Sequence, residues 1–184
     1  MKEHVVACVL TAAVLVTGCA ANPQVEAVSE AKLPARMSCE PVETFYSVPL
    51  ETEIQRTIKE LCAAEGLEPT VILAMIDVES SFEAKALGDG GNSYGLMQIQ
   101  PRWHSERIAA LGVTDLLDPK QNVTVGIDIL AELVAKYDGN IEMALVAYNA
   151  GPTGAYRHWF SRGVYSSDYS EKVLKISTKL KEES

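Results

Sequence analysis

The sequence predicts an all-α domain carried behind an export signal and a tether. Three observations predict it: runs with a helical apolar period recur from Pro49 onward, cap and stop residues punctuate them, and no neighbouring segment alternates with period two.

The first 18 residues read as a signal peptide. Lys2 opens a short n-region in which Glu3 is atypical, Val5 to Val16 is apolar but short for a bilayer span, and "VTGC" closes the stretch at Cys19. That tetrapeptide has the form of a bacterial lipobox, in which the cysteine becomes the lipidated first residue of the mature chain. An ordinary secretory signal cleaved nearby is the alternative. Both export the chain, and the first anchors it through Cys19 to a bacterial membrane facing the cell wall. Residues 19–47 are rich in Ala, Glu, Pro and Val without a sustained period and read as a flexible tether. Fully extended, it reaches roughly 80–90 Å.

Residues 48–184 are long enough for one domain with a real core. Ile54, Ile58, Leu61 and Cys62 mark an amphipathic helix ending at Gly66. Pro69 begins a second helix whose run Val71–Val78 is apolar nearly all round, which predicts a buried central helix. "DPKQ" at 118–121 supplies a cap, a first-position proline and a reciprocal glutamine for a helix with Val123, Ile127, Leu130, Val134 and Tyr137 on one stripe. Asn140 caps "IEMALVAY", which stops at "NAGP". Tyr169, Val173, Ile176 and Leu180 mark a terminal amphipathic helix. Loops are short except residues 83–95.

Of the chain's 184 residues, 16 are Lys or Arg and 25 are Asp or Glu, a formal charge of −9 without any basic cluster, which excludes nucleic acid as a partner. Of the four cysteines, Cys8 leaves with the signal and Cys19 takes the lipid. Cys39 and Cys62 remain, to bridge outside the cytoplasm or, for Cys62, to fill the apolar face of its helix.

The chemistry gathers at the end of the buried helix. There Glu79 is disfavoured as a carboxylate by desolvation and by the negative end of the helix dipole, so its pKa should rise and the acid should keep a proton to donate. The bland alternative is a helix-end glutamate turned to solvent or paired with Lys85. After it come a glycine-rich loop where a polymer can approach the backbone, then Gln98, which can donate and accept, beside Met97. Tyr148 closes a later helix. Singly, Met97 and Tyr148 read as packing and Gln98 as a satisfied surface amide.

Together "VESSF", "GLMQIQP", "DLLDPKQNVTVGIDIL", "ALVAYNAG" and "YSEKVL", in this order and spacing, resemble the soluble lytic transglycosylase (SLT) domain of the lysozyme-like superfamily. The resemblance covers about residues 48–176. It implies a lysozyme-like fold whose buried central helix carries Glu79 as catalytic acid/base, with Gln98, Tyr148, Asn149 and Met97 in a glycan groove. The implied partner is peptidoglycan, cut between N-acetylmuramic acid and N-acetylglucosamine by a lyase that needs one carboxyl and no metal or organic cofactor, acting as a monomer. "GDGGNSYGLMQIQPRWH" is also similar to the corresponding loop of goose-type lysozymes, which makes Asp89 a candidate groove residue and second carboxylate. The further acid of that pattern, two places after the glutamine, is here Gln100. Asp89 reads equally as a loop acid bonding backbone amides. Hydrolysis by Glu79 with Asp89, or a wall-binding module without turnover, are the rival expectations.

Other patterns carry less. "GNSYG" at 91–95 matches a nucleophile elbow by letters but lacks the strand before it that the elbow requires. His104 and His158 lie far apart with no zinc spacing, so no metal site is expected. "NVT" at 122 is a glycosylation sequon in letters alone. Trp103, Trp159 and Phe160 are expected as core or rim packing before sugar stacking.

Overall fold

The computed structural model describes residues 44–184. The signal, Cys19, Cys39 and most of the tether lie outside the described residues. Residues 44–47, expected in the tether, are docked on the domain. Gln55, 2% exposed, is an amide buried inside a helix and needs partners. Tyr46 supplies them, donating its N–H to Oε1 at 2.9 Å and accepting from Nε2 at 3.2 Å, while Phe45 lies beneath Lys59.

Helix α1 (Thr52–Glu65) buries Ile54, Ile58 and Cys62 and closes on Gly66 at φ 67°, whose N–H returns to the Cys62 carbonyl. Helix α2 (Pro69–Ser80) begins with Pro69 in its first turn and buries every residue from Thr70 to Ile76. The expected central helix is therefore present, packed chiefly on the last helix, α7 (Asp168–Glu182), and also on α1. Ser177 of α7 donates to Thr70 at 2.9 Å inside that contact. Immediately beyond α2, Ser81 and Phe82 are both left-handed, at φ 49° and 64°, and turn the chain sharply away from Glu79.

The long loop holds a small antiparallel hairpin in which β1 (Leu87–Gly88) pairs with β2 (Ser93–Tyr94) around a 3-10 turn at Asp89–Gly91. Helix α3 (Pro101–Ala110) follows, and periodicity missed it because none of its residues is buried, so no apolar stripe marks it. Asp118 caps α4 (Pro119–Lys136) by accepting from the Gln121 N–H. Gln121 is not reciprocal: its Oε1 accepts from the Thr114 and Asp115 amides, closing the preceding turn instead. Asn140 caps α5 (Ile141–Ala150) as expected. Gly151 and Pro152 then both stop α5 and start a short α6 (Pro152–His158), since proline suits a first helical turn as well as a stop. A second long connection, residues 159–167, leads to the Ser167–Ser170 capping box of α7. Helices α2, α4 and α5 supply most of the core, and Cys62, with no exposed surface, lies within it and makes no disulfide among the described residues.

Candidate active site

Glu79 sits in the last turn of α2, where the packing of α2 on α7 brings it against Tyr169. The Tyr169 hydroxyl donates to Glu79 Oε1 at 2.7 Å. Among the described residues Oε2 has no protein hydrogen bond and no buried side-chain polar atom lacks a partner, so Oε2 keeps some surface exposed, and Glu79 lines the cleft described below. Burial pushes the Glu79 pKa up, and the Tyr169 hydrogen bond, which favours the charged form, offsets only part of this. Lys85 is not its partner: that ammonium bonds the Leu117 carbonyl at 3.0 Å.

Burial, then the nearby charge of Glu79, also push up the pKa values of Tyr148 and Tyr169, so both phenols stay protonated and available as donors. Tyr148 spends its donor on the Met97 carbonyl at 2.9 Å. That bond ties α5 to the segment after the hairpin.

A cleft of about 700 Å³ runs from Glu79 past Gln98, Tyr148 and Asn149 to Trp103 and His104. A second hollow of about 550 Å³, lined by Tyr169, Trp159, Val164 and Glu171, shares Asn149 with it. Gln98 reaches the cleft from a left-handed backbone at φ 49°, with Nε2 donating to the Gly95 carbonyl at 2.9 Å. A Cβ on Gly88 would stand 2.1 Å from Gln98 Oε1, so the glycine makes room for the amide.

Met97 departs from the groove expectation. Its side chain is fully buried against Gly126, where a Cβ would lie 2.3 Å from the Met97 sulfur. An apolar thioether gains more from the core than from a wet cleft, and only its backbone serves the site. That backbone is held by Asn122, which the sequence marked only as the first letter of a sequon. Asn122 has no exposed surface, accepts from the Met97 N–H at 2.8 Å, and donates to the Tyr94 and Leu116 carbonyls at 2.8 Å each.

Asp89 lies outside the cleft. It is exposed at the hairpin tip, left-handed at φ 50°, with Oδ2 accepting from Gln100 Nε2 at 3.3 Å and its carbonyl accepting from Asn92 at 2.8 Å. In place of loop amides, its carboxylate meets the glutamine that stands where the goose-type pattern has an acid.

Further along, Arg107 of α3 pairs with Asp128 and Glu132 of α4 and contacts His104 Nδ1 at 3.1 Å. Burial first, and then the Arg107 charge, lower the His104 pKa, so the imidazole is neutral at neutral pH. No group of three His, Cys, Asp or Glu able to hold a metal occurs among the described residues.

Sequence reasoning missed Tyr169 as a site residue. It fell in the "YSEKVL" block but counted as part of an apolar stripe, and only its hydroxyl at a helix start hinted otherwise. Trp103, expected as core or rim, stands at the cleft mouth with 71% of its surface exposed.

A family model for the transglycosylase SLT domain matches residues 56–170. A transglycosylase of Enterobacteria phage PRD1 is 33% identical over 119 residues, covering 65% of this chain and 41% of that protein. Lysozyme g of Gallus gallus is 30% identical over 127 residues, covering 64% of this chain and 58% of that protein. Among solved structures, the 70 kDa soluble lytic transglycosylase of Escherichia coli superposes with a TM-score of 0.60 at 20% identity, over 69% of this chain and 24% of that one. The chain thus spans 41% to 58% of the length of these two sequence relatives, and the likeness to the solved enzyme carries the lysozyme-like fold.

Proposed function

This chain belongs to the transglycosylase SLT domain family, and on that premise we propose that it is a peptidoglycan lytic transglycosylase with Glu79 as its acid/base. The observation that carries the reading is a single carboxyl, desolvated at the end of a buried helix, with one oxygen held by Tyr169 and the other free toward a glycan-sized cleft.

In this reading Tyr169 occupies Oε1 and leaves Oε2 to hold the proton. Glu79 gives that proton to the oxygen bridging N-acetylmuramic acid and N-acetylglucosamine as the glycosidic bond breaks. The substrate's own acetamido group steadies the positive charge that develops at the anomeric carbon. The resulting carboxylate then takes the proton of the C6 hydroxyl, whose oxygen bonds to the anomeric carbon and closes a 1,6-anhydro ring. Glu79 ends as it began, and no second protein carboxyl is needed, unlike the paired-carboxylate scheme. Burial supports the first step by favouring the protonated acid, and the phenol bond supports the second by favouring the carboxylate. Gln98 and Asn149 are proposed to bind the strand, which would pass Glu79 on its way between the two hollows.

Hydrolysis with Asp89 as partner is supported by the similarity to lysozyme g, but it requires that carboxylate to hold a water in the cleft. The placement of Asp89 at the exposed tip, bonded to Gln100, favours lyase chemistry. Digesting purified peptidoglycan and weighing the products decides the matter. Ends carrying 1,6-anhydro-muramic acid, absent with Glu79→Gln, support the proposal; reducing ends heavier by one water overturn it in favour of hydrolysis. No turnover at all would leave the wall-binding module.

The proposal extends to the export of the chain and its lipid anchorage at Cys19, with residues 1–18 as signal, the tether running from Cys19 up to the docked residues 44–47, and the enzymatic domain from there to residue 184. Cys19→Ala should then move the protein from the membrane fraction to the soluble one. Whether Cys39 bridges Cys62 is read by thiol labelling of the exported protein.

A further inference from the structure

An indole is ordinarily covered in a folded protein, because few side chains offer more apolar surface. Trp103 is 71% exposed, more than any other exposed large apolar side chain described. The others, Leu87, Leu111, Tyr156, Val164 and Tyr165, line no part of the Glu79 cleft, whereas Trp103 does.

Its orientation is set from one side only. The Arg102 guanidinium carbon lies 4.9 Å from the ring centroid, a cation-over-ring contact. Arg102 is in turn fixed by Gln100, whose Oε1 accepts from it at 3.1 Å. The Gln100 amide donates to Ser93 Oγ at 3.1 Å and to Asp89 Oδ2 at 3.3 Å, so the hairpin holds the glutamine, the glutamine the guanidinium, and the guanidinium one face of the indole. Among the described residues the indole has no second cationic or aromatic partner, and with 71% of its surface exposed it stands open at the lining of a polar cleft.

We propose that this open face of Trp103 is a stacking platform for a pyranose ring of the glycan strand, at a position away from the bond that is cut. The inference rests on the reading of the substrate as a glycan. One face of a pyranose presents C–H bonds carrying slight positive charge, and the face of an indole carries the complementary negative charge. The sugar hydroxyls at the ring's edge then meet Gln100 and His104, both of which line the cleft beside the indole. A platform already held in place loses little side-chain freedom on binding, which is the advantage of the relay from the hairpin. Arg102 and Gln100 are positioning residues in this arrangement, and Asp89 acts through them on binding.

The test separates binding from turnover by using the full chain carrying Glu79→Gln, titrated calorimetrically with soluble, peptide-free glycan strands. Adding Trp103→Ala should weaken binding about tenfold, and Trp103→Phe, which keeps an aromatic face, should recover most of it. Arg102→Ala should weaken binding by about threefold with an unchanged melting temperature. In the otherwise intact enzyme the Trp103→Ala loss should appear in KM for long strands and not in kcat. Equal affinity of the alanine variant and its parent overturns the platform, and so does a failure of the parent to bind strands at all. Turnover persisting in Glu79→Gln would instead overturn the catalytic reading while leaving the affinity comparison intact.

Discussion

Two acids stand ten residues apart in the chain, and their surroundings make them different chemical groups. Glu79 stands in the last turn of a helix buried from Thr70 to Ile76, gives one oxygen to the Tyr169 phenol, and is driven toward its protonated form. Asp89 tips an exposed hairpin, where its carboxylate accepts a hydrogen bond from the Gln100 amide. The difference teaches that a proton donor is made by the packing beneath it. A carboxyl on an exposed turn, with an amide beside it, serves instead as a local tie.

The comparison breaks most directly at Glu79. Glu79→Gln should lower kcat by about a thousandfold or more in a peptidoglycan turnover assay, the scale of losing a general acid that also acts as base. The same change bears on stability. The folded carboxyl binds its proton more tightly than the unfolded one, whose ordinary value is 4.5. From there up to the raised folded pKa the native state holds more protons, so wild-type stability falls as pH rises through that window. The glutamine variant escapes this loss and should melt higher than wild type above the window and alongside it below pH 4.5. Thermal melts across pH check the sign.

Next in size is the link between the regions of the two acids. Asn122→Leu removes the bonds to Met97, Tyr94 and Leu116 and strands buried backbone groups, so it should cost about 3 kcal/mol or more in denaturant unfolding. Gln98 should lose its placement with it.

Tyr169→Phe should lower kcat by roughly tenfold by freeing the carboxyl to rotate, and it also removes the bond that lowers the Glu79 pKa. The alkaline limb of the pH–rate profile should therefore move to higher pH. A limb that stays in place, or moves down, would show that the phenol does not govern the acid.

Asp89→Asn is expected to do least. Asparagine tolerates the left-handed backbone at this position, so the turn survives. Turnover should change by less than about threefold, with the same anhydro product. A switch of product, or a hundredfold loss, would make Asp89 a true partner of Glu79 and erase the contrast between the two acids.

Much of this was legible in the order of residues. The nearly all-apolar run before Glu79 announced a buried helix and hence a desolvated acid, and Asp118 and Asn140 announced the helix starts they cap. These are local effects, settled by side chains within a turn or two of one another. Helix α3 was illegible because no residue of it is fully buried and no apolar stripe marks it, and α6 because Pro152 serves as well to begin a helix as to end one. Met97 sat beside Gln98 in one motif, yet the two side chains point to opposite fates, core and cleft.

The sequence by itself determined an all-α domain with an acid at the end of its buried helix, because apolar periodicity and capping are short-range properties of the chain. Tertiary structure alone decided which hydroxyl meets that acid, since Tyr169 lies 90 residues away on a helix that docks against α2. It alone decided that Asp89 stays outside the cleft and that Trp103 stands bare at its mouth. Such pairings depend on how helices and loops dock, and docking is fixed by the sum of many distant contacts that no short stretch of sequence contains.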